Sequence, residues 1–378
     1  MSGPDLPVVV VGASLGGLAA AVRLAKLGHQ VTLVDGAADP TPSLPDLIEL
    51  PAAWRDLFRK SGRILDAALA EEHLDLVPAP PRVLADGVRL QTDRGEQFAA
   101  LTAAYGTSVA ESWRDLLDEA DDAWQVVRRA GLETHDLTDP AVARLLARHT
   151  TVADLAERIA PPALRHVVEH VAQDRHVDPA HAPAWWVTEL CVRRTFSTWQ
   201  LVDAAGTPQP GSRLADLLLA RADRRGVERR TGIVTAIQLL GHQSVAVRLS
   251  DGSTEPAAAV VSGVDLWQHR RLTGQPAPAL SRRLGPVPLP SRPLTATDTQ
   301  TPTWEEPDTW RALEPVAGPV PRVAYAGSGT VAGDLPWARL LVGALATYEV
   351  HEWLTGEDVR PANKSGHRSR AARVAGSA

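Results

Sequence analysis

The chain has 378 residues, of which 44% are hydrophobic and 22% charged, and its formal net charge is −6. This length is enough for two interwoven domains with a large core, whereas the lone cysteine, Cys191, excludes an intramolecular disulfide framework and a cysteine metal cluster. Five of the 39 basic residues and none of the 45 acidic ones lie from Arg360 onward, so the rest of the chain is strongly acidic and does not match nucleic acid.

The first predicted unit is a strand, a glycine turn, a helix and a second strand, in the stretch VVVVGASLGGLAAAVRLAKLGHQVTLVD. Residues 8–11 are all apolar, as expected of a central parallel strand that is buried on both faces. Gly12 permits the tight turn that follows, Gly17 permits close packing of the helix on the sheet, and Gly28 ends a helix over 15–27. This order within about 30 residues predicts a dinucleotide-binding turn, with a purely structural turn as the alternative.

Two residues bear on the dinucleotide that the turn would hold. Ser14 stands where the usual pattern has glycine, at the point where the backbone approaches the pyrophosphate. Its side chain is small and its hydroxyl can donate to a phosphate oxygen, and the helix N-terminus favours the same anion. Asp35, at the tip of the second strand, can accept hydrogen bonds from both ribose hydroxyls. No arginine or lysine follows Asp35 closely, which disfavours NADP.

Helices are predicted in the middle of the chain. One covers 108–131, begins with a capping box of Ser108 and Glu111, and ends at Gly131. Its apolar residues recur at helical spacing and predict a core face of Leu116, Leu117, Ala120, Trp124 and Val127. Short helices follow to about residue 194, and a further capped helix covers 212–226.

The pattern changes after residue 231, where apolar and polar residues alternate. The stretch GIVTAIQLLGHQSVAVRLSDGSTEPAAAVVSGVD predicts a β-meander whose last strand, 258–261, is apolar throughout. Residues 273–321 are rich in proline and predict a long irregular connection. The stretch RVAYAGSG then predicts another apolar strand that ends in glycines, followed by the helix WARLLVGALATYEVHEWLTG.

The last residues, 358–378, include the basic stretch RPANKSGHRSRAARVAGSA, which has no apolar periodicity and predicts a disordered tail. A solvated tail is the plain interpretation, and peripheral contact with an anionic membrane surface is the alternative. No apolar run reaches membrane-spanning length and no signal-like segment opens the chain, so we expect a cytoplasmic protein. The oligomeric state stays open.

Together these pieces resemble the phytoene desaturase and amine oxidase-like flavoproteins, and in particular their bacterial carotenoid-desaturase branch. The resemblance lies in the N-terminal turn and in LPAAWRDLFRKSGR, DRHVDPAHAPAWW, TFSTWQLVDAAG, LADLLLARADRRGVERRTGIVTAI and AYAGSG…LPWARLLVGALATYEVHEW, in the family's order over most of residues 6–355. It implies an α/β fold with a discontinuous Rossmann-like FAD-binding domain, containing a parallel sheet and a β-meander, over 1–60, 205–265 and 321–357. A mostly helical, reduced substrate domain would cover 61–204 and 266–320.

The resemblance also implies FAD as the cofactor, held in an extended pose. Its adenosine end would lie by the N-terminal turn, its adenine near the strand around 235–237, and its flavin end would be closed by loop 327–335 and the helix after it. The implied cofactor-binding residues are Gly12, Ala13, Ser14, Gly16, Gly17, Asp35, Val234, Gly327, Ser328, Pro336 and Trp337.

Three departures from the family pattern concern the flavin. Members normally carry a Gly-Gly-Arg segment soon after the second strand, but here no arginine occurs between Asp35 and Arg55. The part of the substrate domain between Val264 and Pro321 is shorter than usual, and Ser328 stands where aspartate is common. These differences leave the flavin less enclosed.

No catalytic residue is predicted. Flavin chemistry on an unactivated C–H bond needs the substrate carbon held over the cofactor in a dry pocket, and needs no dedicated nucleophile or acid–base pair. Trp185, Trp186, Trp199 and Trp337 lie in segments that the resemblance places near the flavin, with core packing as the alternative.

A pair of histidines resembles part of a metal site. His166 and His170 would share one helix face in the manner of an inverted zinc-protease motif, with His176 and His181 as candidates for the third ligand. We expect a polar helix face and no metal. Cys191 lies among apolar residues and is expected to be buried and inert.

Three hypotheses of function follow. The first is an FAD-dependent oxidoreductase of the dehydrogenase or desaturase type, which removes hydride from an apolar small molecule such as an isoprenoid or carotenoid. The second, favoured by the missing arginine segment, is a catalytically degenerate flavoprotein-fold partner that binds a lipid or another protein. The third is an NAD-binding protein, which Asp35 favours and the flavin-like C-terminal motif opposes.

Overall fold

The computed structural model describes residues 6–36, 42, 44–134, 140–147, 150–175, 177–240, 244–275, 314–330 and 332–361. The strands are β1 (Val8–Val11), β2 (Val31–Asp35), β3 (Ile48–Glu49), β4 (Leu74–Pro78), β5 (Arg82–Val83), β6 (Arg89–Leu90), β7 (Thr198–Asp203), β8 (Pro208–Gln209), β9 (Glu228–Thr231), β10 (Val234–Leu239), β11 (Val245–Leu249), β12 (Thr254–Ala257), β13 (Ala259–Ser262) and β14 (Val323–Tyr325). The α-helices are α1 (Leu15–Lys26), α2 (Pro51–Ser61), α3 (Leu65–Glu71), α4 (Arg94–Tyr105), α5 (Thr107–Val127), α6 (Pro140–Ala147), α7 (Val152–Glu157), α8 (Pro162–Gln173), α9 (Thr188–Phe196), α10 (Ser212–Arg224), α11 (Leu266–Leu272) and α12 (Pro336–Thr355).

Five parallel strands form the central sheet, in the order β14-β13-β1-β2-β9. β1 lies in the middle and is buried on both faces, as its all-apolar sequence predicts. Val8 and Val10 belong to the main core, which contains α1 and α12, whereas Val9 and Val11 pack with the antiparallel strands β10 and β11 on the other face. The predicted α/β class with a parallel sheet is therefore confirmed.

The predicted β-meander is present, but its last strand is not the one predicted. β10, β11 and β12 pair in that order, and Pro256 lies in the edge strand, where a missing N–H is tolerated. The strand predicted to be last, 258–261, instead pairs as β13 with β1 and β14 in the parallel sheet. All residues of β13 are buried, and a strand without a polar face fits between two covered neighbours rather than at the edge of a half-exposed meander.

Helix α1 lies between the sheet and α12 with almost no space on either side. A Cβ atom added to Gly16 would lie 1.9 Å from the carbonyl oxygen of Ala326, just beyond β14. A Cβ atom added to Gly343 of α12 would lie 2.4 Å from the carbonyl oxygen of Gly16. These two glycines therefore permit three backbones to meet at the carboxyl edge of the sheet.

The predicted helix caps are wrong in the helical region. Gly106, with φ of 89°, separates α4 from α5, so α5 begins at Thr107 and Ser108 lies inside its first turn, where it forms no capping box with Glu111. At the other end Gly131 lies within the π-helical turn Arg128–Thr134 and does not end the helix. The predicted core face is confirmed, because Leu116, Leu117, Ala120, Trp124 and Val127 are all buried.

The helix predicted over 212–226 is present as α10, but it has no side-chain cap. Gly211 is its N-cap, and a Cβ atom added there would lie 2.0 Å from the carbonyl oxygen of Pro45. The Gly211 N–H also donates to Asp46 at 3.1 Å. The start of α10 therefore packs against the segment that precedes β3. Strand β3 was not predicted, and it pairs with β7 in a separate antiparallel sheet.

Two segments predicted to be irregular or disordered are packed where the structure describes them. Arg360 forms ion pairs with Glu349 at 2.7 Å, with Asp358 at 3.1 Å and with Glu352, so the tail prediction is wrong for 358–361. The N–H of Tyr325 donates to the carbonyl oxygen of Val316 at 2.7 Å, which docks part of the proline-rich connection on β14. Residues 276–313 and 362–378 lie outside the described residues.

A buried histidine beside β14 predicts acid sensitivity. His269 of α11 is 2% exposed, its ring lies 4.5 Å from that of Tyr325, and burial together with the charge of Arg270 lowers its pKa to about 3. The unfolded chain takes up this proton near pH 6.5, so stability that is full above that pH is lost as the pH falls toward 3, by about 1.4 kcal/mol per pH unit.

We therefore expect the free energy of unfolding, measured in urea between pH 7.5 and 4.5, to fall more steeply in the wild-type chain than in His269→Phe. The phenylalanine ring keeps the contact with Tyr325 but binds no proton. The acidic groups contribute equally to the pH dependence of both chains, so their contribution cancels in the comparison. Parallel pH profiles would contradict this assignment.

Candidate functional site

A cavity of about 810 Å³ opens at the carboxyl edge of the parallel sheet, where ligands bind in open α/β folds. Its volume is within the usual range for small-molecule sites. The apolar side chains of its lining, together named the apolar wall, are Leu44, Leu47, Ile48, Trp54, Leu335 and Trp337. The charged and titratable side chains of its lining, together named the charged wall, include Glu49, Arg82, His170, Asp174, Arg175, Glu189, Arg193, Asp265, Asp334 and Arg339.

The glycine turn after β1 adopts the conformation that its sequence requires. Gly12 has φ of 92°, and a Cβ atom on Gly17 would lie 2.2 Å from the carbonyl oxygen of Gly12. The N–H of Ala13 donates to Asp35 at 2.8 Å, and the Ser14 hydroxyl oxygen caps α1 by accepting the N–H of Gly17 at 3.2 Å. Both side chains are buried, Ser14 at 1% and Asp35 at 5% exposure. Their sequence-based roles toward phosphate and ribose therefore stay predictions, and each also holds the turn together.

Gly263, directly after β13, joins this turn to the cavity. It lines the cavity, and a Cβ atom there would lie 3.0 Å from the Gly12 carbonyl oxygen and equally close to the Ser14 hydroxyl oxygen. The glycine turn and the cavity are thus neighbouring parts of one edge of the sheet. Sequence patterns gave no reason to single out Gly263.

The other predicted cofactor residues divide into two groups. Ser328, Pro336 and Trp337 line the cavity, as expected for a flavin end. Gly327 is not part of the lining and packs against backbone instead, since a Cβ atom there would lie 2.1 Å from the carbonyl oxygen of Val264. Val234 packs with the meander core and does not line the cavity.

The tryptophans are likewise divided. Trp337 contacts Trp124, with ring centres 5.3 Å apart, and is joined in the cavity wall by Trp54. Trp186 lies behind the charged wall with Arg175 over its ring, and neither Trp185 nor Trp199 lines the cavity. Core packing, the alternative interpretation, therefore holds for three of the four.

The charged wall is an ion-pair network that sequence reasoning missed. Arg175 contacts Glu189 at 2.8 Å and Asp334 at 3.2 Å, while Arg193 contacts Glu49 at 2.5 Å and also Glu189. Burial, reinforced by the charge of Glu189, raises the pKa of Glu49 above its usual range. The one signal in the sequence was Glu189 itself, a charge set among apolar residues of a predicted helix.

The histidine pair is not a simple surface feature. His166 is exposed, but His170 is half-buried, lines the cavity, and contacts Asp174 at 3.0 Å. His181 lies 3.7 Å from Asp178, and His176 lies outside the described residues. Within the described ranges no three histidine, cysteine or acidic side chains are placed to share a metal ion. Cys191 is buried as predicted, and burial raises its pKa to about 11.

The residues present fit a dinucleotide whose phosphates lie at the sheet edge. The first N–H groups of α1 have no acceptor within the helix. The Ser14 hydroxyl accepts the one of Gly17, and the others could bind an anion. Arg339, at the start of α12, lines the cavity, and its buried Nε has no hydrogen-bond partner in the described structure. A negatively charged group is what both features would accept.

Comparisons with known proteins agree with this geometry. Residues 10–45 match the family described as an NAD(P)-binding Rossmann-like domain. The chain is 28% identical over 323 residues to hydroxyneurosporene desaturase of Cereibacter sphaeroides, covering 76% of this chain and 59% of that protein. It is 28% identical over 300 residues to phytoene dehydrogenase of Streptomyces griseus, covering 73% and 57%. The chain thus spans less than two thirds of the length of these curated relatives.

The fold itself recurs in a solved oxidase. Cyclohexylamine oxidase from Brevibacterium oxydans has a TM-score of 0.54 at 14% identity, over 93% of this chain and 100% of that one. The predicted Rossmann-like architecture is therefore confirmed, and the chain is similar in sequence to carotenoid desaturases. No described helix has both the length and the apolar character needed to cross a membrane.

Proposed function

We propose that this chain, a Rossmann-fold relative of the carotenoid desaturases, is an FAD-dependent oxidoreductase of the dehydrogenase or desaturase type. The observation that carries the proposal is the cavity of about 810 Å³ that meets the glycine turn at Gly263. When bound, FAD would supply the hydride acceptor. The N–H groups at the start of α1 would hold its phosphates, and Ser328, Pro336 and Trp337 would border its flavin end.

The chain's own side chains would position the substrate. The wall of Trp54, Ile48, Leu335 and Trp337 would orient an apolar molecule and exclude water from it. Loss of hydride from a C–H bond during desaturation is accompanied by loss of a proton from the neighbouring carbon. His170, oriented by Asp174, is suited to take up that proton at the cavity wall.

An isoprenoid or carotenoid is the substrate class that we propose, since the names of the two curated relatives refer to such compounds and the apolar wall suits them. Three further points remain predictions: a cytoplasmic location, contact of the basic tail with an anionic membrane surface, and a preference against NADP. The second candidate is a catalytically degenerate flavoprotein-fold protein that binds a lipid or another protein. The engagement of Ser14 and Asp35 inside the turn favours it, because both side chains already have partners within the protein.

The test is the visible spectrum of the purified full-length chain before and after loading with FAD and desalting. We expect retained flavin absorbance in the wild-type chain and in Ser14→Gly, which loses only a few tenths of a kcal/mol of helix capping. Ser14→Leu should bind FAD at least about 10-fold more weakly, since a branched side chain would stand where phosphate approaches the backbone.

Circular dichroism of the two variants separates loss of the site from loss of the fold. A wild-type chain that stays colourless and shows no thermal shift with FAD would reject the proposal. In that case a thermal shift with NAD alone would support the NAD-binding hypothesis, and none with either nucleotide would favour a degenerate binding protein.

A further inference from the structure

Arg339 is a cation in the cavity wall that forms no ion pair within the described residues. It lies in the first turn of α12, and within the described residues no carboxylate forms an ion pair with its guanidinium group. Its Nε is buried without a hydrogen-bond partner, and burial lowers the pKa of Arg339 below its usual range. A charge that is partly removed from water, with a buried N–H left unpaired, is costly, so this arrangement favours a ligand of opposite charge.

The position makes the cost larger. The N-terminus of a helix carries partial positive charge, so a cation in its first turn is unfavourable and an anion is favourable. Arg175 and Arg193 line the same cavity, and both are fully paired with acids. Arg82 also lines it without an ion pair in the described structure, and both side chains are partly exposed. Of the two, only Arg339 has a buried guanidinium nitrogen without a hydrogen-bond partner there.

The acids of the cavity compensate Arg339 only in part. The charge of Asp334 raises the pKa of Arg339 against the larger effect of burial, but no described acid forms an ion pair with it and each already has another partner. Asp334 contacts Arg175 at 3.2 Å, Asp46 accepts the N–H of Gly211, and Asp174 contacts His170. Asp265 caps α11 by accepting two backbone N–H groups at 2.9 and 3.0 Å. The guanidinium group therefore stays available to a ligand.

We infer that the end of the cavity beside α12 is an oxyanion subsite, in which Arg339 binds a carboxylate or phosphate of the ligand. A guanidinium group can form two parallel hydrogen bonds to such a group, and the helix N-terminus adds to the attraction. The inference rests on the proposed function, because it concerns the same cavity. Two sources share this chemistry: a phosphate of the dinucleotide, or an acidic group on an otherwise apolar substrate.

The experiment compares the full-length wild-type chain with Arg339→Met, Arg339→Lys and the control Arg114→Met, which removes an exposed arginine paired with its neighbour Asp115. Binding is followed by quenching of tryptophan fluorescence, since Trp54 and Trp337 line the cavity. FAD is paired with riboflavin, which lacks phosphate, and decanoate with 1-decanol, which lacks the charge.

We expect Arg339→Met to weaken binding of FAD, of decanoate or of both by at least about 10-fold, with partial recovery in Arg339→Lys. Binding of riboflavin and 1-decanol, and all binding by Arg114→Met, should be unchanged. The melting temperature of ligand-free Arg339→Met should equal or exceed that of the wild type, because a cost is removed. A merely structural arginine would instead lower it.

The ligand whose binding is weakened in Arg339→Met identifies the source of the anion. Weaker binding of FAD alone indicates the cofactor phosphate, and weaker binding of decanoate alone indicates an acidic group of the substrate. Unchanged affinity for both anions, or no binding of either anion to the wild-type chain, would overturn the subsite. Failure of FAD alone to bind the wild type would count against the proposed function, whereas an Arg339-dependent decanoate affinity would still support the subsite.

Discussion

Replacing Gly16 with alanine is expected to lower the free energy of unfolding by about 3 kcal/mol. The substitution would disturb the edge of the sheet at which the cavity opens. The added Cβ atom would lie 1.9 Å from the carbonyl oxygen of Ala326, which is backbone and cannot rotate away. The opposite side is closed as well, because Gly343 of α12 approaches the Gly16 carbonyl oxygen. Urea unfolding followed by circular dichroism measures the loss.

Gly95→Ala is the matched control for this prediction. Gly95 also lies in the first turn of a helix, is exposed, and an added Cβ atom would meet only the side chain of Asp93, at 3.3 Å. The same substitution there should leave stability unchanged or raise it by up to about 1 kcal/mol. Similar effects at both glycines would show that the contact between α1 and the end of β14 is not as close as described.

Replacing Arg175 with methionine is expected to cost about 3–5 kcal/mol, because it leaves two acids in the cavity wall short of a cation. The Arg175 side chain is 8% exposed and that of Glu189 only 2%, so water cannot take over the lost contact. Arg193 still pairs with Glu189, but no other described cation forms an ion pair with Asp334. The variant should therefore unfold at lower urea concentration.

A surface ion pair with the same distance shows how much of the expected loss of stability is due to burial. Arg158 contacts Glu119 at 2.8 Å, the distance of the Arg175–Glu189 pair, but both partners are nearly half exposed. Arg158→Met should cost no more than about 1 kcal/mol. Adding Glu189→Gln to Arg175→Met should recover part of the stability, and failure to recover any would show that lost packing on Trp186 dominates.

The parts of the molecule that could be predicted from sequence are those whose contacts are local. β1, its turn, α1 and β2 lie within about 30 residues, and the glycines, the apolar runs and the acidic tip each constrain a neighbour in the chain. The partner of β13 could not be found in this way. An apolar strand next to a meander gives no indication that it pairs with Val8–Val11, far away in the sequence.

The charged half of the cavity was beyond prediction for the same reason. Glu49, Arg175 and Asp334 come from three distant segments, and each one alone is indistinguishable from an ordinary surface charge. Only the folded chain removes them from water and gives them partners. The α5 cap failed differently: Ser108 and Glu111 satisfy the capping-box pattern, but the positive φ of Gly106 set the start of the helix one residue earlier.

The order of strands in the central sheet has a consequence for synthesis of the protein. β1 is flanked by β2, which follows it directly, and by β13, which begins about 250 residues later. At about 5–20 residues per second, a ribosome needs roughly 12–50 s to reach that second neighbour. Throughout this interval the nascent chain carries an apolar strand with one unsatisfied edge, which is a template for aggregation. Expression at a lower growth temperature, or with abundant holdase chaperones, should therefore raise the yield of correctly folded protein.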